Sequence, residues 1–413
     1  METISLFEDK QILLAVTGSI AAYKAIDLAS KLTQRGAKVD VILTESGARF
    51  VTPLAFESVT GRQCYTTIWQ NEGTGGLPTH VKHIGLGERA NLMVVAPATA
   101  NTLAKLAVGL ADDLLSVTAV AARCPLMVAP AMDGGMYQHP TVQANLATLR
   151  ERGVMIVEPE VGRFASGLVG KGRLPEVPTL IGAIRAALGR KGALAGRHVV
   201  VTAGGTREAV DPVRFITNRS SGKQGHALAQ AAADAGADVT LITTMSALEA
   251  PYGATVVPVN SARQMLDAVL GYAPAADALL MAAAVADFRP ALTAEHKIKK
   301  SDDGAGITLD LERTEDILLA VKALRAEGQG PRVVVGFAAE SQNLLENALE
   351  KLERKGVDLL VANDITAADA GFEVDTNRVV ILDAAGGQER IDLATKARIS
   401  EHILARVGAL LGS

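Results

Sequence analysis

The sequence predicts an α/β protein made of two fused domains, each organised around a parallel sheet covered on both faces, and three observations lead there. The chain has 413 residues, and at roughly 150 residues per domain that length points to two or three domains. The same order of elements, a strand, a glycine-containing turn and a helix, opens near Gln11 and again near Arg197. Between and after these openings lie continuous apolar runs separated by helical patterns, which is how strands buried on both faces read.

Taken in order, QILLAVTG reads as a strand, AAYKAIDLASKLTQRG as a helix and AKVDVILT as the next strand, one βαβ unit. NLMVVAPA, PLMVAPA and VMIVEP continue the first sheet. AKLAVGLADDLLS lies between the first two of these and supplies helix together with Asp112 and Asp113. VPTLIGAIRAALG is helical and leads into RKGALAGR, a basic stretch with no apolar stripe, so the boundary falls near residue 190 and gives domains 1–190 and 191–413. RHVVVTAGG, KQGHALAQAAADAG and ADVTLIT restart the pattern, and DALLMAAAVAD, RVVVGFAAE and DLLVAND extend it. The apolar stripe of ATKARISEHILARVGALLG closes the second core.

Composition narrows the function. Apolar residues make up 48% and charged residues 21% of the chain, which supports large cores and excludes a wholly disordered protein. A formal charge of −4 gives no overall drive toward nucleic acid or anionic lipid. With only Cys64 and Cys124, there is neither a disulfide framework nor a cysteine zinc site. The acidic start METISLFEDK lacks the zones of a signal peptide, and no uncharged apolar run is long enough to span a bilayer, so a soluble, cytoplasmic protein is expected.

Chemistry gathers where strands end. Thr17-Gly-Ser-Ile-Ala-Ala-Tyr-Lys24 places backbone N–H groups and a hydroxyl at the start of a helix, which suits a phosphate, although a Gly-Ser turn is also an ordinary helix start. Ala96-Pro-Ala-Thr-Ala-Asn-Thr102 and PAMDGGMY follow later strands, at the edge where open α/β sheets bind ligands.

TGSIAAYK, APATANTLAKLAVGLADDLL, the APAM and GMY segments and GKGRLPEV closely resemble the flavin-dependent cysteine decarboxylases that act on phosphopantothenoylcysteine. The resemblance implies a flavodoxin-like fold and FMN as cofactor, with Gly18 and Ser19 on the phosphate, Thr44 and Ser46 in the next strand-end loop, and Ala98, Thr99 and Asn101 near the flavin. His83 of VKHIGLG matches the active-site histidine, a base for thiol oxidation. A carbanion left by CO2 loss from a cysteine amide has no electron sink, so the resemblance implies that the thiol is first oxidised to a thioaldehyde by the flavin. Asp133 and Met136 would meet the substrate, with Asp133 standing where relatives carry Asn. In the glycine-rich flap, Arg173 is retained and Ser166 replaces the usual cysteine.

In the second half, Val201-Thr-Ala-Gly-Gly-Thr-Arg-Glu208 and Asn218-Arg-Ser-Ser-Gly-Lys-Gln-Gly225 can both present N–H groups to phosphates. The second is not a Walker A loop, because Thr217 stands where a glycine is required and Gln224 follows Lys223. Together with AAAVADFRP, KIKK, GFAAES and LVAND, these strings resemble the phosphopantothenate–cysteine ligases, and the two resemblances cover nearly the whole chain. They imply a fused enzyme with a Rossmann-like ligase half, using CTP and Mg2+ to convert 4'-phosphopantothenate to an acyl-cytidylate that the amine of cysteine then opens. Lys297 would neutralise charge at the reacting phosphate and Asn218 would bond the intermediate. Ala283, Asp287, Asp316, Ile317 and Phe337 would frame substrate and nucleotide, and Lys351 and Lys355, four apart on a helix, would face the triphosphate. The metal ligands stay unassigned.

The resemblance also implies homo-oligomers through both halves. A working ligase fused to a regulatory flavin-binding half is the competing reading, raised by Asp133 and Ser166. A nicotinamide dehydrogenase ranks last, since neither turn completes G-x-G-x-x-G.

Overall fold

The computed structural model describes residues 5–69, 82–164, 167–299, 306–340, 344–364 and 374–412. Ser166 lies outside them. So does the side chain of His83, whose backbone belongs to the helix Lys82–Arg89. The chain forms two compact units, Met1–Leu188 and Gly189–Ser413. No helix among the described residues is long and apolar enough to cross a membrane.

The strands of the first unit's main sheet are β1 Gln11–Val16, β2 Lys38–Leu43, β3 Cys64–Tyr65, β4 Leu92–Ala98, β5 Leu126–Pro130 and β6 Met155–Ile156. They are parallel and ordered β3-β2-β1-β4-β5-β6. Alternation along β1 builds both layers of this flavodoxin-like α/β unit. Ile12, Leu14 and Val16 pack with residues of the helices Ala22–Gln34, Pro53–Thr60 and Val177–Gly189. Leu13 and Ala15 pack on the other face with Leu86, Leu103, Leu115 and Leu146. Each fully buried Leu or Ile contributes about 2 kcal/mol of apolar burial, which is why β1 is apolar in both phases from Ile12 to Val16. Because consecutive connections leave β1 in opposite directions, the crevice between the carboxyl ends of β1 and β4 is the topological switch point.

Two local readings change. The stretch around Asp112 and Asp113 is not one helix: Ala100–Val108 stops at Gly109, whose φ of 77° favours glycine, and Asp113 caps a second helix, Leu114–Ala121, through a capping box with Ser116. The glycine-rich GLVGKGRLP segment is in part a strand, β8 Val169–Arg173, paired antiparallel with β7 Glu160–Arg163.

The second unit contains β9 His198–Ala203, β10 Arg207–Ala209, β11 Phe215–Thr217, β12 Asp238–Thr243, β13 Thr255–Pro258, β14 Ala278–Met281, β15 Phe288–Pro290, β16 Leu311–Arg313, β17 Val333–Glu340, β18 Leu359–Asp364, β19 Thr376–Asp383 and β20 Gln388–Thr395. The main sheet runs β13-β12-β9-β14-β17-β18-β19-β20, parallel from β13 to β18 and antiparallel beyond. Val199 and Val201 face the helices Lys223–Asp234 and Lys396–Gly412, whose Ile399, Ile403 and Val407 are buried. Val200 faces the layer of Met265, Val321 and Leu352. The expected strand DALLMAAAVAD is shorter, since β14 ends at Met281 and Ala283 turns to donate its N–H to Thr202 Oγ1. The stretch 190–197 folds into this unit, with Leu194 fully buried and its N–H donated to Ala235 O at 2.8 Å.

Candidate functional site

In the first unit, the loops after β1, β2 and β4 meet at the switch point. Thr17 is buried; its Oγ1 donates to Pro97 O at 2.7 Å and accepts the Thr99 N–H at 3.2 Å, tying the end of β1 to the end of β4. Gly18 is needed for contact with the β2 loop, because a Cβ there would stand 2.5 Å from Ser46 Cβ. Thr44 Oγ1 donates to Val16 O and accepts the Gly47 N–H, closing the β2 loop from inside. Ser19 Oγ accepts the Ala21 N–H at the start of the helix Ala22–Gln34, whose first turn carries no acidic side chain. Ala98 is fully buried, Thr99 caps the helix Ala100–Val108, and Asn101 is exposed on its first turn. The structure thus brings Gly18, Ser19, Thr44, Ser46, Ala98 and Thr99 together. The helix end is free of negative charge and fits a phosphate.

The loop after β5 and the hairpin β7–β8 form a second cluster. Asp133 Oδ1 accepts the Gly135 N–H at 3.0 Å as the cap of the short helix Gly134–Gln138, a role Asn fills equally well, so its presence leaves the local backbone undisturbed. Met136 is 52% exposed. The hairpin docks here: Met132 N donates to Gly172 O at 2.9 Å, and the Phe164 ring packs closely enough on Gly134 and Gly170 that a Cβ there would stand 3.1 and 3.2 Å from it. Two ion networks fix it. Glu158 accepts from Tyr137 Oη, Arg150 Nη2 and Lys171 Nζ. Burial disfavours its charge, but the bonds from Lys171, Tyr137 and Arg150 outweigh that and hold the carboxyl below the usual range. Glu176 bonds both Arg173 and the buried Lys24, whose Nζ also donates to Leu174 O. Hydrogen bonding from Lys24 depresses the Glu176 carboxyl.

In the second unit, glycines again let strand ends touch. Gly204, with φ of 89°, leaves no room for a Cβ, which would stand 2.2 Å from Thr244 Oγ1. The hairpin β10–β11 leads from this turn to Asn218, whose Nδ2 donates to Val285 O at 3.0 Å. At the hairpin's tip Asp211 is buried and accepts from Val213 N, Arg214 N, Arg214 Nε and Ile298 N, which places the exposed Lys297 beside it. Asp316 caps the helix Ile317–Ala326, with Ile317 buried in the core, and its carboxylate pairs with Lys355 Nζ. Burial lowers the Lys355 pKa, while the Asp287 carboxylate works against that shift, so Asp287, Asp316 and Lys355 form one group. Phe337 sits half-buried on β17, and Lys351 lies one turn before Lys355 on the helix Leu344–Lys355. Among the described residues no three His, Cys, Asp or Glu side chains gather as a metal site.

Sequence reasoning missed Thr17, Glu158 and Asp211 as site-building residues. Thr17 stands inside a quoted motif and Asp211 between two of them, but the backbone groups they bind lie 80 and 87 residues away.

The two sheets, each with glycine-lined loops at its carboxyl edge, define a protein with two α/β ligand-binding units. Residues 4–189 match the family described as Flavoprotein, and residues 194–410 match the DNA/pantothenate metabolism flavoprotein C-terminal domain. The chain is 44% identical over 408 residues to the coenzyme A biosynthesis bifunctional protein CoaBC of Bacillus subtilis, covering 98% of each. To the protein of that name from Mycobacterium tuberculosis it is 47% identical over 406 residues, covering 96% of this chain and 95% of the relative. A crystal structure of the C-terminal domain of such a protein shares 37% identity, covers 54% of this chain and 98% of that one, and superposes with a TM-score of 0.45. The chain belongs to the family of bifunctional coenzyme A biosynthesis proteins, and it is a two-domain enzyme of that pathway.

Proposed function

We propose that the second unit joins 4'-phosphopantothenate to cysteine at the expense of CTP with Mg2+, and that the first decarboxylates the product to 4'-phosphopantetheine with FMN. One observation carries the reading: in each unit the motif residues meet at the carboxyl edge of a parallel sheet, Gly18, Ser19 and Thr99 in one and Gly204, Asn218 and Asp287 in the other. The order β13-β12-β9-β14-β17-β18 supports a Rossmann-like description of the ligase unit.

In the ligase, Lys297 neutralises charge as pyrophosphate leaves, Asn218 bonds the acyl-cytidylate, and Ala283, Asp287 and Phe337 frame the ligand. Lys351 and Lys355 face the triphosphate, and Asp316 and Ile317 fix the start of the helix beside it. Mg2+ would be held by substrate phosphates, water and one or two carboxylates, and would offset charge on the phosphates. In the decarboxylase, Gly18 and Ser19 hold the FMN phosphate and Thr44, Ser46, Ala98, Thr99 and Asn101 line the flavin. When bound, FMN supplies the electron acceptor that makes CO2 loss possible. His83 takes the thiol proton, Asp133, Met136 and Arg173 hold the substrate, and Ser166 relays a proton in the reducing step. The chain acts in the cytoplasm as a homo-oligomer.

The test is to incubate purified protein with phosphopantothenate, cysteine, CTP and Mg2+ and follow both products. Ligated product without 4'-phosphopantetheine, and no bleaching of bound FMN by supplied substrate, would favour the regulatory flavin half instead.

A further inference from the structure

Lys297 is exposed, and among the described residues 291–299 around it there is neither helix nor strand. A long, flexible lysine on such a segment neutralises a reacting phosphate poorly unless its backbone is held, since misplacement by about 1 Å can cost a hundredfold in rate. The segment is held from one side by the turn of the hairpin β10–β11. Thr293 Oγ1 donates to Ala209 O at 3.1 Å and Ala294 N to Val210 O at 3.0 Å. Four residues on, Ile298 N donates to Asp211 Oδ2 at 3.2 Å, and Arg214 Nη2 donates to Ile298 O at 2.7 Å. Both backbone groups of Ile298, the neighbour of Lys297, are therefore taken by one ion pair, between the buried Asp211 and the exposed Arg214.

Asp211 is the centre of that pair. Its side chain is fully buried, its Oδ1 accepts Val213 N and Arg214 N at 2.8 Å each, and its Oδ2 accepts the Arg214 guanidinium and Ile298 N. The Oδ1 bonds fix the turn and would suffice for a hairpin. The Oδ2 bonds from the Arg214 guanidinium stay within the turn, but that from Ile298 N reaches a segment 87 residues away and has no part in closing it. The same hairpin ends one residue before Asn218. One rigid element thus spans the two residues that the ligase reading makes catalytic.

We propose that Asp211 is a positioning residue of the ligase: it holds Arg214 and the Ile298 N–H so that Lys297 is presented to the reacting phosphate in register with Asn218. This rests on the assignment of Lys297 above. Asp211→Asn keeps the size and can keep the Oδ1 bonds to the turn, but it replaces the acceptor facing Ile298 and Arg214 with an N–H donor.

The experiment measures pyrophosphate release from CTP and phosphopantothenate by the full-length enzyme, with Asp211→Asn made in the parental and Lys297→Gln backgrounds. In the parental background kcat should fall about tenfold with KM for CTP changed less than about twofold. In the Lys297→Gln background the same change should cost less than about twofold, because residues acting as one unit are not additive. Amide exchange at residues 294–299 should rise, while decarboxylation of supplied substrate stays parental. If Asn prevents folding, Asp211→Glu keeps the charge and should give a smaller loss of the same kind. An equal loss in both backgrounds, or parental exchange at Ile298, overturns the positioning role while leaving Lys297 in place. A parental rate in Lys297→Gln alone overturns the assignment of Lys297, and the proposal with it.

Discussion

Replacing Thr17 with Val tests the switch-point architecture with almost no change of volume. The hydroxyl is the only group lost, so no cavity term enters and the cost is that of its hydrogen bonds. Thr17 Oγ1 donates to Pro97 O at 2.7 Å and accepts the Thr99 N–H at 3.2 Å. Two net bonds at about 1 kcal/mol each, plus about 1 kcal/mol for the Pro97 carbonyl left dry beside a methyl group, give about 3 kcal/mol. The half-buried Thr99 N–H can recover a partner in water, so no second penalty is added. Part of this loss appears as stability and part as FMN affinity, because the tie sets the distance from the Gly18–Ser19 turn to Thr99. With 1.4 kcal/mol per tenfold, FMN should bind about 10- to 100-fold more weakly. Flavin fluorescence titration of the apoprotein measures it, with thermal flavin release as a second readout. Thr17→Ser keeps both bonds and should stay within about threefold of the parent. Equal defects in the Ser and Val variants, or a Val variant with parental affinity and melting, would refute the reasoning.

Lys297→Gln should lower acyl-cytidylate formation on the order of a hundredfold, about 3 kcal/mol, and leave decarboxylation of supplied substrate intact; equal loss in both assays would contradict separate sites. The anchoring of the β7–β8 hairpin should depend on acid through Glu158. Its folded carboxyl pKa is depressed, so its stabilisation is fully present above the unfolded value of about 4.3 and is lost as pH falls through the folded one. Limited proteolysis of the hairpin should accelerate only below about pH 4.3, and Glu158→Gln should keep only the shallower acid dependence that Glu176 contributes. At Ser166, a hydroxyl is a far weaker acid than a thiol of pKa about 8.5, so rapid flavin bleaching should be followed by slow recovery. Ser166→Cys should speed the recovery and Ser166→Ala slow it; parental rates in both would remove the residue from the site. The buried Cys64, its thiol pushed up to about 12 by burial, and Cys124, its thiol also raised by burial, offer no ready thiolate in place of a flap cysteine, so treating the protein with a thiol reagent that is removed before substrate is added should leave turnover unchanged.

The parallel strands were legible because burial on both faces turns them into unbroken apolar runs, as in LLAV of β1 or VVV of β9. β19 and β20 escaped because they are antiparallel at the edge and β20 carries Gln388, Glu389, Arg390 and Asp392, a polar pattern that reads as loop. β8 escaped because two of its residues are glycines, admitted where Phe164 and Met132 leave no room for a side chain. Among site residues, Gly18 and Thr99 could be found by motif. Thr17 and Asp211 could not, because they act on backbone groups 80 and 87 residues away, and no local pattern encodes such a partner.

On the proposed assignment of Lys355 to the triphosphate, its pair with Asp316 would make nucleotide capture in the ligase unit an exchange of counter-ions. Asp316 is also the cap of its helix, through Oδ1 on Leu319 N, while Oδ2 holds the lysine. A triphosphate that takes Lys355 therefore displaces a carboxylate that still has a helix end to neutralise, and Asp316 is not stranded. Since mobile ions screen the outgoing pair as well as the incoming one, this lysine's contribution to nucleotide affinity should vary with ionic strength much less than that of an unpaired surface cation.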